Sequence, residues 1–230
     1  WDVTTGSKDI IVAVIDTGID YEHSDLVDNI WVNPGEIANN GVDDDGNGFI
    51  DDINGYNFIG AGDSDPLDDN DHGTHCAGTI GAMVGNSFGV VGVNHKVALM
   101  GLKFLSGGGS GYISDAIESI YYGVDNGARI LSNSWGRSGG AASQTMLDAI
   151  TYAANNDVLF VAAAGNSSSD NDTKPHWPSN YDVPNVISVA ATTREDKKAS
   201  FSCFGQKNSS SWCARTSYNE HDNRERICLL

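Results

Sequence analysis

Short apolar runs that alternate with helical stretches are the feature that most limits how this chain can fold. Residues 10–15 read Ile-Ile-Val-Ala-Val-Ile without a polar interruption, which is typical of a strand buried on both faces of a parallel sheet. Comparable runs recur at residues 97–105, 129–135, 158–164 and 186–191. Helical patterns occupy residues 72–84, 114–126 and 143–155. Strands that alternate with helices predict an α/β fold of three layers, with a mostly parallel sheet and helices on both faces.

The charge distribution excludes some partners. The 230 residues carry a formal net charge of −18, and from Asp9 to His95 there are 17 acidic residues and no Lys or Arg. Such a field repels nucleic acid and anionic membranes, so neither is expected as a partner. No apolar run approaches the ~18 residues of a transmembrane helix, and the start, Trp1-Asp2-Val3, does not have the form of a signal peptide. The cysteines have no zinc-type spacing, and their pairing stays open.

Three motifs supply candidate catalytic groups. Asp16 ends the first apolar run inside Asp-Thr-Gly, His72 opens a predicted helix inside His-Gly-Thr-His, and Asn166 follows a strand that ends in Ala-Gly. Each also has an ordinary interpretation. Asp-Thr-Gly marks aspartic proteases, which need a second copy that is absent here. The paired histidines could bind a metal, although the HExxH zinc motif is missing, and a strand-terminal Asn is commonly a turn former.

Taken together and in this order, the motifs resemble the subtilase family of serine proteases. The resemblance covers residues 1–205 and rests on the segments VAVIDTG, HGTHCAGT, SNSWG and AAAGN. It implies that Asp16 orients His72, that His72 is the general base, and that Asn166 supplies the oxyanion-hole amide, a contribution of roughly 3 kcal/mol in acyl transfer. It also implies a polypeptide substrate, the protein's own propeptide as inhibitor or folding aid, a monomer, and secretion.

The same resemblance assigns two segments to a substrate cleft, where an extended peptide would pair with the chain as a β-strand. The alternative for these segments is an ordinary loop and a strand end. The predicted substrate-binding residues are Gly109, Ser110, Gly111, Ser134, Trp135 and Gly136. Cys76, four residues after His72, resembles the free thiol that some members carry, and we expect it to be buried and inert.

An acidic, glycine-rich loop predicts bound calcium. Residues 43–52 read DDDGNGFIDD, which places side-chain oxygens at alternate positions around a sharp turn. This is the ligand spacing of an EF-hand loop, although Asn54 replaces the bidentate Glu that such a loop requires at its twelfth position. A solvated acidic loop is the alternative. The predicted ligands are Asp43, Asp45, Asn47 and Asp51.

The resemblance to subtilases implies a second calcium site. Asp25 lies where the family uses a carboxylate ligand, and the loop of residues 83–90 matches the segment that completes that site. The implied ligands from this loop are the side chain of Asn86 and the backbone carbonyls of Met83, Phe88 and Val90.

The resemblance stops after Gly205. A subtilase continues with an apolar strand, an A-P-G turn and the G-T-S-M-A segment that carries the nucleophilic Ser, and residues 206–230 contain none of these. Codons permitted for Trp212 to Arg215, read one base later, can encode Gly-Ala-Pro-Gly. We therefore interpret the tail as out of frame, with a naturally diverged tail as the alternative.

The expected organisation is a partial peptidase domain, residues 1–205, incomplete at its C-terminus and followed by a non-family tail, residues 206–230. Without the Ser, this chain as given is predicted to be inactive. A catalytically dead peptide-binding module and a calcium-dependent structural domain are the alternative functions.

Overall fold

The computed structural model describes residues 1–205 and the backbone of residues 211–215. The predicted tail therefore lies largely outside the described residues, as do the side chains of Cys213 and Cys228. The chain divides into two compact units, Trp1–Leu131 and Ser132–Leu230. No helix in the described ranges has the length and apolar composition needed to cross a membrane.

The first unit is built on three parallel strands, paired in the order β2-β3-β1. Their bounds are β1 (Gly6–Asp16), β2 (Gly55–Asn57) and β3 (Lys96–Lys103). The last five residues of β1 are buried, as an uninterrupted apolar run predicts. The register pairs Asp16 with Lys103, so the carboxyl ends of β1 and β3 meet at one edge of the sheet. Polar groups at this edge can share a site.

Two helices pack on β1 and β3. They are α1 (His72–Gly81) and α2 (Ile113–Asp125). A one-turn 3-10 helix covers Val27–Asn29. The sequence predicts that α1 continues to residue 84, but Ala82 takes an extended conformation, with φ −62° and ψ 145°. The N–H of Met83 then donates to the carbonyl of Asp25 at 2.8 Å, so a tertiary partner replaces the next helical hydrogen bond.

The second unit contains a parallel strand series of its own. Its elements are β4 (Ile130–Asn133, which begins at the end of the first unit), β5 (Arg137–Ser138), α3 (Gln144–Asn155), β6 (Leu159–Ala163), β7 (His176–Trp177) and β8 (Val186–Thr192). Strand β6 pairs with β8 in parallel, and β5 pairs with β7 antiparallel. Helix α3 packs on β6, and its N-cap Ser143 accepts a hydrogen bond from the N–H of Met146. The predicted α/β class with mostly parallel strands is confirmed.

A strand beyond residue 205 differs from the sequence expectation. The missing apolar pattern after Gly205 predicts that no further core strand follows, yet β9 (Ser211–Arg215) pairs in parallel with β8, with Val189 opposite Ser211. Strand pairing joins main-chain groups, so it does not require apolar periodicity. The proposed domain boundary at 205 stays a prediction.

A buried amide joins α1 to β3. Asn29 is 3% exposed, and its Nδ2 donates to the carbonyls of Gly81 at 2.9 Å and His95 at 3.1 Å. These carbonyls lie at the end of α1 and just before β3, so one side chain satisfies two main-chain acceptors that the fold removes from the regular hydrogen-bond pattern.

We expect Asn29→Ala to lower the free energy of unfolding by about 2 kcal/mol, because two largely buried carbonyls lose their donor. Asn126→Ala is the matched control, since Nδ2 of Asn126 donates to the carbonyl of Tyr122 at the more accessible end of α2. That change should cost less than about 1 kcal/mol in chemical denaturation. Equal losses for the two variants would contradict the structural role given to Asn29.

Candidate active site

Asp16 and His72 form a hydrogen-bonded pair. Oδ1 of Asp16 lies 2.7 Å from Nδ1 of His72 and also accepts the N–H of Thr17 at 2.7 Å. Asp16 is fully buried, whereas the His72 side chain is 40% exposed. The buried carboxylate therefore selects the tautomer with a proton on Nδ1, and it leaves Nε2 as the basic nitrogen.

This hydrogen bond changes the basicity of His72. The bond to Asp16 is the largest cause that raises the pKa of His72 above its ordinary value of 6.5, and the Sγ of Cys76, 4.0 Å from Nδ1, adds to the rise. Burial acts in the opposite direction and is outweighed. The Asp16 carboxylate therefore stabilises the protonated imidazole, the form that His72 takes once it has accepted a proton.

Close backbone contact explains a glycine next to His72. A Cβ on Gly73 would lie 2.1 Å from the carbonyl oxygen of Gly18, so the first turn of α1 can approach the loop after β1 only because residue 73 has no side chain. This contact brings His72 within reach of Asp16. The absence of a side chain at Gly73 is therefore required for the hydrogen bond between Asp16 and His72.

Lys103 is a buried cation that the sequence analysis did not identify as part of the site. Its Nζ donates to the carbonyls of Thr17 at 2.5 Å and Leu105 at 3.2 Å, and it forms an ion pair with Oδ1 of Asp69 at 2.5 Å. The Lys103 side chain is 6% exposed and that of Asp69 is 60% exposed. The only sequence feature that could have indicated a buried Lys103 is its position within an apolar strand run.

Asn166 lies three residues after the end of β6, in the second unit, and it is exposed. Three preceding carbonyls each have a separate donor. The His176 ring bonds to the backbone of Ala163, Nδ2 of Asn171 donates to Ala164 at 2.9 Å, and the N–H of Cys203 donates to Gly165 at 2.8 Å. The backbone that carries Asn166 is thereby held in place before any ligand binds, as an oxyanion donor requires.

The same contacts settle an ambiguity about Asn171. Asn171-Asp172-Thr173 has the form of a glycosylation sequon, with a common surface loop as the alternative. Asn171 is only 4% exposed, and its Nδ2 is bonded to the carbonyl of Ala164. The amide nitrogen that a glycan would need is therefore inaccessible in the folded protein.

The predicted substrate-binding segments are coil. Residues 109–111 are exposed and belong to a loop closed by the N–H of Ser106, which donates to the carbonyl of Ser110 at 2.9 Å. In the second unit, Ser134 is buried and Gly136 is exposed, just after β4. A Cβ on Gly136 would lie 2.3 Å from Cε1 of His176, so this backbone packs directly on the imidazole. Burial lowers the pKa of His176, although its bond to Ala163 opposes the change.

The acidic loop contains a carboxylate cluster that only partly matches the predicted ligands. Glu36, Asp45 and Asp52 each place one carboxylate oxygen within 4.8 Å of the others, and sequence reasoning had identified only Asp45. Asp52 is fully buried. Burial raises the pKa of Asp52, while hydrogen bonds from Tyr122, Asn47 and Asn33 lower it, and the charge of Asp45 raises it. Three like charges at this distance favour a bound cation.

The other predicted loop ligands are engaged in shaping the turn. Asp43 accepts the N–H groups of residues 46, 47 and 48. Asp51 accepts those of residues 40 and 41. Asn47 instead contacts the cluster, because its Nδ2 donates to Oδ2 of Asp52 at 2.9 Å. The loop is therefore preshaped around Glu36, Asp45 and Asp52.

Asp25 contacts the loop of residues 83–90, as the resemblance to subtilases implies. Oδ1 of Asp25 accepts Nδ2 of Asn86 at 2.6 Å, and Oδ2 accepts the N–H of Val90 at 2.8 Å. Phe88 is exposed, and its N–H donates to Oδ1 of Asn86. Asp25, Asn86 and the segment 88–90 are thus brought together around one buried carboxylate.

The Asp16–His72 bond predicts a pH dependence. Because the pKa of His72 lies above 6.5 in the folded protein, its contribution to stability is complete below about pH 6.5 and is lost as the pH rises through the folded-state pKa. We expect Asp16→Asn to move the pKa of His72 down toward 6.5, measured by NMR titration of the ring, and to flatten the alkaline decline in stability. Asp28→Asn, an exposed carboxylate in the same unit, is the control. An unchanged pKa in Asp16→Asn would show that the pair is not coupled.

The sequence matches one protein-family model and many known proteins. The subtilase family model matches residues 7–216 and so runs past Gly205. A thermophilic serine proteinase of Bacillus sp. (strain AK1) is 37% identical over 205 residues, which cover 89% of this chain and 44% of that protein. Thermitase of Thermoactinomyces vulgaris is 33% identical over 205 residues, which cover 89% of this chain and 62% of thermitase. Subtilisin-like protease 1 of Plasmodium berghei (strain Anka) is 37% identical over 194 residues, 81% of this chain and 32% of that protein.

The chain spans less than two thirds of the length of each of these relatives. The family match nevertheless includes Asp16, His72 and Asn166 and extends over most of the sequence. This chain therefore belongs to the subtilase family.

Proposed function

We propose that this chain carries most of a serine endopeptidase domain that hydrolyses peptide bonds through an Asp-His-Ser triad. The observation that supports this most strongly is the 2.7 Å contact between Oδ1 of Asp16 and Nδ1 of His72, at the carboxyl edge of the sheet. Nε2 of His72 takes the proton of the nucleophilic Ser as that Ser attacks the scissile carbonyl, and later returns it to the leaving amine. Asn166 donates to the oxyanion that forms.

The nucleophile is the part that these 230 residues do not provide. No G-T-S segment occurs in them, and removal of the triad Ser lowers turnover by roughly 10⁶ even when the remaining groups are in place. We propose that the chain as given does not hydrolyse peptides. Its substrate in the complete enzyme is a polypeptide, bound as an added strand along residues 109–111 and 134–136. By analogy with the family, the enzyme is monomeric, secreted and associated with its own propeptide.

Peptide binding without hydrolysis is the second candidate function. It is favoured by the same absence of a G-T-S segment, together with the exposed main chain at Gly109, Ser110 and Gly111. Exposed main-chain groups can still hydrogen-bond an extended peptide when the catalytic machinery is incomplete. A calcium-dependent structural domain is the third possibility, and the absence of any peptide binding would favour it.

Calcium belongs to the proposal as a stabilising ion. The carboxylates of Glu36, Asp45 and Asp52 lie close enough together to coordinate one hard cation. Asp43 and Asp51 accept main-chain N–H groups and so stabilise the surrounding turn. Bound calcium would neutralise the repulsion among the three carboxylates. A second ion at Asp25 would use oxygens of Asn86 and of the main chain of residues 83–90.

A labelling and binding experiment tests the proposed function. We expect this chain to resist a fluorophosphonate probe, which reacts with an activated Ser, and to leave a fluorogenic peptide intact. It should bind a fluorescein-labelled extended peptide, detected by anisotropy. Ser110→Pro removes a main-chain donor and should weaken that binding about tenfold, a loss of about 1.4 kcal/mol. Ala61→Pro, in another exposed loop of the same unit, should have no effect.

Stoichiometric fluorophosphonate labelling that disappears in His72→Ala would contradict the proposed inactivity of this chain. Equal peptide affinity in Ser110→Pro and Ala61→Pro would contradict the proposed binding segment. Thermitase provides the positive control for the probe.

The melting temperature of this protein should be higher in calcium than in the presence of a chelator. Saturation to about 100 times Kd adds about 2.7 kcal/mol of stability. Asp45→Asn should reduce this calcium-dependent increment, because it removes one of three converging carboxylates, whereas Asp9→Asn makes the same charge change at an exposed site and should preserve it. Differential scanning calorimetry with calcium, magnesium or chelator measures the increment. An identical increment in both variants would exclude the Glu36–Asp45–Asp52 cluster as a site.

A further inference from the structure

Asp68 forms hydrogen bonds with the segment that follows Asp16 and with the segment that follows His72. Its Oδ1 accepts the hydroxyl of Thr17 at 2.8 Å, and its Oδ2 accepts both the N–H of Thr74 at 2.9 Å and the Thr74 hydroxyl at 2.6 Å. Thr17 follows Asp16 in the chain, and Thr74 lies two residues after His72. One half-buried carboxylate therefore joins the loop after β1 to the first turn of α1.

The Thr17 hydroxyl completes a second connection between the same two segments. Thr17 is 1% exposed, and its Oγ1 accepts the N–H of Gly73 at 2.9 Å. A hydroxyl has only one proton. Since that proton is donated to Asp68, an Oγ1 lone pair is directed at Gly73. The residue after Asp16 is thus bonded to the residue after His72, and Asp68 sets the direction of that bond.

We propose that Asp68 is a positioning residue, which fixes the Asp16–His72 hydrogen bond by holding Thr17 against the start of α1. The inference rests on the proposed function only in the role given to the pair. Charge-assisted hydrogen bonds are stronger than neutral ones and more directional, which suits a group that must hold two segments at a set distance. A catalytic pair requires its geometry to be fixed by such supporting contacts.

A capping role alone is the competing explanation. Asp68 accepts the N–H of Thr74, which is one of the free donors in the first turn of α1, and a carboxylate there stabilises a helix. A cap lowers stability when it is removed but has no reason to change the state of His72. The ring titration of His72 therefore separates positioning from capping.

Thr17→Val tests the proposal without changing any charge. It keeps the shape of the side chain and removes the hydroxyl that connects Asp68 to Gly73. We expect the pKa of His72 to fall by at least half a unit, about threefold in the protonation constant, with loss of the downfield Nδ1-bound proton resonance. Thr79→Val is the matched control, because the Thr79 hydroxyl donates to a carbonyl of the same helix, that of His75. It should leave both readouts unchanged.

Asp68→Asn is the second variant, in case the buried Thr17 position does not tolerate change. Removal of any nearby negative charge lowers the pKa of His72, so Asp71→Asn, at an exposed carboxylate next to His72, measures that general effect. The pKa of His72 must fall further in Asp68→Asn than in Asp71→Asn. A fall no larger than that of Asp71→Asn, or an unchanged His72 titration in a folded Thr17→Val, overturns the proposal. These titrations need no nucleophile, so failed peptide binding would overturn the proposed function and leave this inference standing.

Discussion

The parallel register between β1 and β3 is the constraint on which the candidate site depends. It sets Asp16 beside Lys103 at the carboxyl ends of two buried strands, where the chain turns and its main-chain groups need new partners. The Lys103 ammonium donates to the carbonyls of Thr17 and Leu105, one from the end of each strand. Asp16 therefore takes its position from the sheet itself, and helix α1 brings His72 within hydrogen-bonding distance of its carboxylate.

Small residues and short polar side chains fix the start of α1 against the loop that follows β1. Gly73 allows the start of α1 to reach the loop after β1, and Asp68 then holds the two segments together through Thr17 and Thr74. The second unit uses the same principle around Asn166, where each carbonyl of the preceding backbone has its own donor. In both places the groups that would perform chemistry rest on a backbone whose hydrogen bonds are already satisfied, which is what preorganisation requires.

Local patterns in the sequence were enough for the long buried strands, and the resemblance to subtilases paired Asp16 with His72, but neither indicated the residues that support this pair. The run at residues 10–15 predicts a buried strand because apolar content is a local property, and Asp16 is recognisable because a charge ends that run. Lys103 and Asp68 act across 86 and 51 residues of sequence to reach Thr17. A single Lys in an apolar run does not show which groups its ammonium contacts, and nothing local distinguishes Asp68 from the other carboxylates of an acidic stretch. The spacing of an EF-hand loop also did not indicate that the carboxylates of Glu36 and Asp52 lie close to that of Asp45, because this proximity depends on how the chain folds around the loop.

We propose that this chain holds the preformed acid-base half of a serine protease. A chimera in which residues 1–205 are followed by the part of thermitase beyond the position aligned with Gly205 tests this proposal most directly. The purified chimera is treated with a fluorophosphonate probe, and its labelling is measured. We expect labelling at one site per chain, which is lost in His72→Ala and strongly reduced in Asp16→Asn. A folded chimera that resists the probe, or one whose labelling does not depend on His72, would contradict it.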